Sequence, residues 1–217
     1  MLDSKLVPVK RLRRRNAGAG TQLLSGVLIK QDPPALLLPP NESMNFPRRF
    51  FSWLFRTDRH PLACVFMMWP TATLPGLLIV IAAGHLLSFT GNQELFEDRR
   101  MEQFFDLTAW TCLAVVVIAP LIETVLMNVI CRGLKAFFSS MVVVTCLSAV
   151  FWAGVHSLAN SPIWGVGVFW PFIIFSGVLL AWWEKSPRLA FWMTFAIHAL
   201  HNLTTLGLVA LSSYWWP

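Results

Sequence analysis

The chain has 217 residues, of which 56% are hydrophobic and only 13% charged, with a net charge of +6 and a mean hydropathy of +0.59. Soluble domains carry about 25% charged residues, so the composition excludes a soluble globular protein and points to a chain that crosses a membrane several times. The charge is lopsided: residues 1–60 hold eleven Lys/Arg against four Asp/Glu, a balance of +7, and the remainder comes to −1.

Residues 1–60 read as a basic arm. The run Lys10, Arg11, Arg13, Arg14, Arg15 suits a cytoplasmic segment beside anionic lipid. Nucleic acid is not the expected partner, because the run has no aromatic platform around it. The apolar stretch after it is too short for a signal peptide and is soon broken by Pro33 and Pro34. Pro39 and Pro40 further discourage a helix before residue 42. FPRRFFSWLFR then mixes aromatic residues with Arg48, Arg49 and Arg56. It suits either a short interfacial helix or the flank of the first span.

Residues 61–93 and 189–217 contain no Asp, Glu, Lys or Arg, and each exceeds the roughly 20 residues needed to cross a hydrocarbon core. Five spans are predicted in the transmembrane region 61–217, at about 62–89, 106–137, 141–158, 163–183 and 189–214. The expected fold is an all-α transmembrane bundle, since only helices and closed barrels satisfy their backbones in lipid. Pro70, Pro75, Pro120 and Pro171 fall inside spans and mark kinks. Trp110, Trp164, Trp182, Trp183, Trp215 and Trp216 near span ends fit an aromatic belt. The basic arm, the acidic loop 90–105 and the inner cations Arg132, Lys135, Lys185 and Arg188 place the N-terminus in the cytoplasm of a cell whose inner membrane holds the protein. Cys64, Cys112, Cys131 and Cys146 lie in apolar segments and read as small buried hydrophobes.

Against this apolar background Glu123 stands out. Between Leu107 and Trp183 only Glu123, Arg132 and Lys135 belong to the Asp, Glu, Lys and Arg classes. An ionisable group at membrane depth costs roughly 2.5–3.5 kcal/mol on insertion scales, so it usually faces a partner or a watery cavity. His156 lies on the next span, and the midpoint between the two falls between Ser139 and Ser140, the expected turn. In an antiparallel hairpin, residues equidistant from the turn share one height, so Glu123 and His156 are expected to meet. On the last span His198 and Asn202 are four residues apart, about 40° apart on one helix face. A histidine and an amide so displayed can donate two hydrogen bonds to one oxyanion. His201 adjoins that face. Each residue alone has a plain structural reading: Glu123 as a protonated carboxyl on a helix carbonyl, His156 as an interhelical contact. The ordered set on successive spans is what points to chemistry.

Pro120-Leu-Ile-Glu123, Trp152-x3-His156 and His198-x3-Asn202 together resemble the motifs of the CAAX-protease and bacteriocin-processing (CPBP, or Abi) family of intramembrane proteases. That family has EExxxR, then FxxxH, then HxxxN or HxxxD, and the resemblance covers residues 106–206. It implies a membrane endopeptidase in which Glu123 and His156 activate water while His198 and Asn202 form the oxyanion hole. The chain departs from the pattern at Thr124 in place of the second glutamate, Asn128 in place of the arginine and Trp152 in place of the phenylalanine. Arg132, followed by Gly133, lies one helical turn beyond the arginine position and is a candidate to replace it. No cofactor is expected. Zinc is the mechanistic alternative, because Glu123, His156 and His198 form a His₂Glu donor set. The expected partners are a peptide or membrane-protein substrate and the membrane lipids. The competing class is a non-catalytic immunity or scaffolding protein descended from such a protease.

Overall fold

The computed structural model describes residues 46–92 and 108–215, with side chains over 49–92 and 108–211. The basic arm through residue 45, the acidic loop 93–107, Trp216 and the side chain of Trp215 lie outside the described residues. The described chain is helical, with no strand. A short helix α1 (Phe46–Leu54) precedes five long ones. These are α2 (Pro61–Thr90), α3 (Ala109–Phe137), α4 (Met141–Ala159), α5 (Pro162–Trp183) and α6 (Pro187–Trp215). All five are long and apolar enough to cross a membrane, so the fold is an all-α, multi-pass bundle.

α1 is a separate helix and not the flank of the first span. Phe50 and Phe51 pack against the core while Arg49, Ser52 and Trp53 are exposed. Beyond its end, the Phe55 ring is buried in the space that a β-carbon on Gly177 of α5 would occupy. Pro61 starts α2 where a missing N–H is harmless. Gly91 ends it with φ 71°, the left-handed conformation that closes a helix without steric cost in glycine. Ser140 caps α4 by accepting from the Val143 N–H at 3.5 Å, which makes Phe138–Ser140 the turn between α3 and α4.

α5 is the centre of the bundle, with Phe172, Ile174, Phe175, Val178, Leu179 and Trp182 almost fully buried. Trp182 is therefore a core residue, not part of an aromatic belt. Trp110 remains exposed, as a belt residue should be. Of the four free cysteines, Cys64 and Cys131 are buried whereas Cys112 and Cys146 are only half-buried.

The prolines explain how the helices are joined. A proline leaves the carbonyl four residues earlier without its helical donor. Pro75 frees the Thr71 carbonyl, and the Trp170 indole of α5 donates to it at 2.7 Å. Pro171 frees the Gly167 carbonyl, which faces Gly76 of α2 so closely that a β-carbon there would sit 3.1 Å away. The two glycines let α2 and α5 approach, as small residues do at membrane-helix crossings. Below Glu123, Ser176 of α5 lies 2.9 Å from Ser148 of α4 and 3.2 Å from the Met127 sulfur of α3. This buried polar knot joins three helices.

Candidate functional site

Glu123 sits one turn beyond Pro120 on α3, and the helix reaches it by an unusual route. Ala114–Ile118 form a π-helical turn in which the Ala119 N–H bonds to the Ala114 carbonyl, five residues back. The next bond in that register would run from residue 120 to Val115, but proline has no N–H to give. The side chain of Asn202 supplies it: its Nδ2 donates to the Val115 carbonyl at 2.9 Å. A wide turn inside a helix often marks a functional position. Here it ties α3 to α6 beside the acid.

Glu123, His156, His198 and Asn202 line one cavity of about 270 Å³, together with His201, Asn160, Trp164, Phe172 and Phe175. The residues selected from the motifs are thus gathered from three helices into one space. Their pairing differs from the expectation of equal heights. The group beside the Glu123 carboxylate is His198, with Nε2 3.5 Å from Oε2. That separation exceeds an ordinary hydrogen bond of about 2.7–3.2 Å. Glu123 Oε2 and His198 Nδ1 are both buried without a hydrogen-bond partner.

The rings fix the histidines. His198 is stacked on Phe175, with centroids 4.4 Å apart, and meets the Phe172 ring at 5.6 Å. His156 meets Phe172 at 5.4 Å, and Trp152 is stacked on the same ring at 4.9 Å. Phe172 is therefore the common support of both motif histidines. His156 Nδ1 lies 2.9 Å from the Trp152 carbonyl. A carbonyl only accepts, so Nδ1 carries the proton and Nε2 of the neutral ring is left as an acceptor. His201 Nδ1 lies 3.1 Å from Thr73 Oγ1 on α2. That hydroxyl already donates to the Trp69 carbonyl at 2.9 Å, so His201 Nδ1 donates to it.

Thr124, where the resembled motif has a second glutamate, is fully buried with its hydroxyl unpartnered. Arg132 lines the same recess as Asn128, the position of the missing arginine, and does not line the Glu123 cavity. Its guanidinium lies over the Trp183 ring at 5.4 Å, in a different recess from the one that holds Glu123. Although Glu123, His156 and His198 share a cavity, no three His, Cys, Asp or Glu side chains among the described residues approach as a metal-holding group. The His₂Glu donor set is not assembled in this conformation.

A second, more apolar cavity of about 430 Å³ lies between α2, α5 and α6 and shares Trp164, Val168, His201, Thr205 and Val209 with the first. Motif reading missed Phe172, Phe175, Asn160 and Trp164. Phe172 and Phe175 look like ordinary core residues in sequence. The signal that could have revealed the Val115 contact is Pro120, whose missing N–H requires a substitute donor. No family model, no curated protein and no solved structure matches the chain.

Proposed function

We propose that the protein is an intramembrane endopeptidase of the glutamate type, similar to the CPBP family. The observation that carries this reading is the convergence of Glu123, His156, His198 and Asn202 on one cavity inside an apolar bundle. Glu123 acts as general base on a water that also donates to His156 Nε2. The hydroxide attacks the substrate carbonyl, and Glu123 returns the proton to the leaving amine. His198, held by Phe175 and too far from Glu123 for a short hydrogen bond, donates to the developing oxyanion. Asn202 donates through the amide hydrogen not used on Val115. The adjoining apolar cavity receives the non-reacting part of a peptide or membrane-protein substrate. The N-terminus faces the cytoplasm and the membrane is the cell (inner) membrane, as the charge distribution favours.

A second reading, a non-catalytic immunity or scaffolding protein, has its own observation: Asn202 already has a structural hydrogen bond and Thr124 replaces an acid. One experiment separates the two. Purified wild type and Glu123→Gln are reconstituted in lipid and offered a peptide library that includes prenylated CAAX peptides. Cleavage by wild type that Glu123→Gln lacks supports the protease. No cleavage of any peptide by a folded wild type supports the partner protein.

A further inference from the structure

Arg132 belongs to a different site. It lines a recess of about 230 Å³ at the end of the bundle where α3 and α5 finish, with Asn128, Lys135, Trp183 and Glu184. Asn128, Arg132 and Lys135 follow one another at four and three residues along one face of α3. The Arg132 guanidinium lies over the Trp183 ring at 5.4 Å, a contact with the ring face that does not use up its N–H donors. Arg132, Lys135 and Glu184 are all exposed. Among the described residues no salt bridge joins either cation to the carboxylate. Asn128 Oδ1 is buried in the same recess without a hydrogen-bond partner. The apolar floor is Leu179, Leu180 and Cys131, and the surface of α3 running away from it exposes Val125 and Val129.

We infer that this recess binds the headgroup of a phospholipid carrying both a phosphate and a primary ammonium, a phosphoethanolamine lipid. Arg132 and Lys135 take the phosphate, since basic pockets between membrane helices bind lipid headgroups. The Glu184 carboxylate takes the ammonium. Its presence is what selects the class. A purely anionic headgroup would meet the carboxylate as a like charge. A choline headgroup has no N–H to donate to it, and the Trp183 face that would attract a quaternary cation is covered by Arg132. The Asn128 amide sits one turn deeper on the same face. The acyl chains follow the exposed valines of α3.

The test uses the full-length protein in detergent. Native mass spectrometry measures retention of added phosphatidylethanolamine, phosphatidylcholine and phosphatidylglycerol, with water-soluble phosphoethanolamine and inorganic phosphate as headgroup probes. Phosphatidylethanolamine should be retained best. Arg132→Gln with Lys135→Gln should weaken it about tenfold or more, the loss expected for one charge-assisted hydrogen bond. Glu184→Gln should abolish the preference over phosphatidylglycerol. Arg188→Gln removes an exposed cation of the same end that does not line the recess, and it should change nothing. Soluble phosphoethanolamine should compete with the lipid better than inorganic phosphate. Equal retention of the three lipids, a preference for phosphatidylglycerol, or equal damage from Arg188→Gln would overturn the assignment. Equal competition by phosphate and phosphoethanolamine would do the same, by reducing the recess to a simple anion site.

Discussion

The two helices α3 and α5 divide the work of the bundle unequally. In the most apolar window of α5, 61% of the residues are buried, against 17% in α3. α5 supplies the packing centre, and two of its polar groups tie it to its neighbours, Trp170 to the Thr71 carbonyl and Ser176 to Ser148, while the buried Trp182 indole N–H has no hydrogen-bond partner. α3 is thinly buried, yet it carries the only Asp or Glu within the five long helices among the described residues. Beside that acid its backbone leaves the α-helical register and needs a side chain from α6 to complete it. The packing centre and the membrane-depth acid are therefore on different helices. The packed helix holds the rings that orient the histidines, and the thinly buried helix presents the Glu123 carboxyl into the cavity. A polar group with all its partners on the protein holds helices together. One that lacks a partner and faces a cavity is positioned for a substrate.

The strongest way to break this contrast is to disarm the proposed base apparatus, Glu123 of α3 and His156 of α4. Glu123→Gln and His156→Ala should each reduce peptide cleavage by about 10²–10⁴-fold, the range for general acid–base catalysis. Circular dichroism should show unchanged helicity. Retention of more than about a tenth of the activity by either variant would remove it from the base apparatus, since the expected loss is at least tenfold greater.

Asn202 has a place in both halves of the contrast. Asn202→Asp exchanges a donor for a charge next to the oxyanion, and kcat should fall by about 10²–10³, as for a single oxyanion-hole donor. It also leaves the Val115 carbonyl unpaired, at a cost of about 1–3 kcal/mol. Pro120→Ala restores a backbone N–H to α3. Combined with Asn202→Asp, it should recover thermal stability without recovering turnover. Recovery of both would make Asn202 a purely structural residue. Turnover of the wild type should be indifferent to chelators. Stoichiometric zinc that disappears in His198→Ala, with reversible loss of activity on chelation, would instead favour the metalloprotease.

Perturbing α5 should have the opposite signature. Gly76→Leu places a side chain against the Gly167 carbonyl and the Pro171 ring. Overpacking of this kind costs about 1–3 kcal/mol, so the melting temperature should fall; because Gly76 also lines the second cavity, KM should rise while kcat of the surviving folded protein stays near that of wild type. A large loss of kcat at full stability would show that the α2–α5 crossing takes part in the chemistry. The smallest effect is expected from deleting residues 1–42. Cleavage of a short peptide should match that of the full chain, and only binding to anionic vesicles should weaken, through loss of the Lys/Arg cluster.

Sequence alone determined the spans, because bilayer-length apolar runs leave the chain few alternatives. The five helices start and stop within about three residues of the positions expected from the apolar pattern. It also isolated Glu123, His156, His198 and Asn202, since a polar residue in an apolar run is visible without a structure. Counting from the Ser139–Ser140 turn placed Glu123 and His156 at one height. Height along an axis does not fix the azimuth, which changes by about 100° with each residue. Only helix packing, of α4 and α6 on α5 and of α3 on α6 and α4, sets the rotation of each. That rotation put His198 beside the carboxylate, placed Phe172 between the two motif histidines and turned Arg132 onto Trp183. It also brought the Asn202 amide to the carbonyl that Pro120 leaves without a donor.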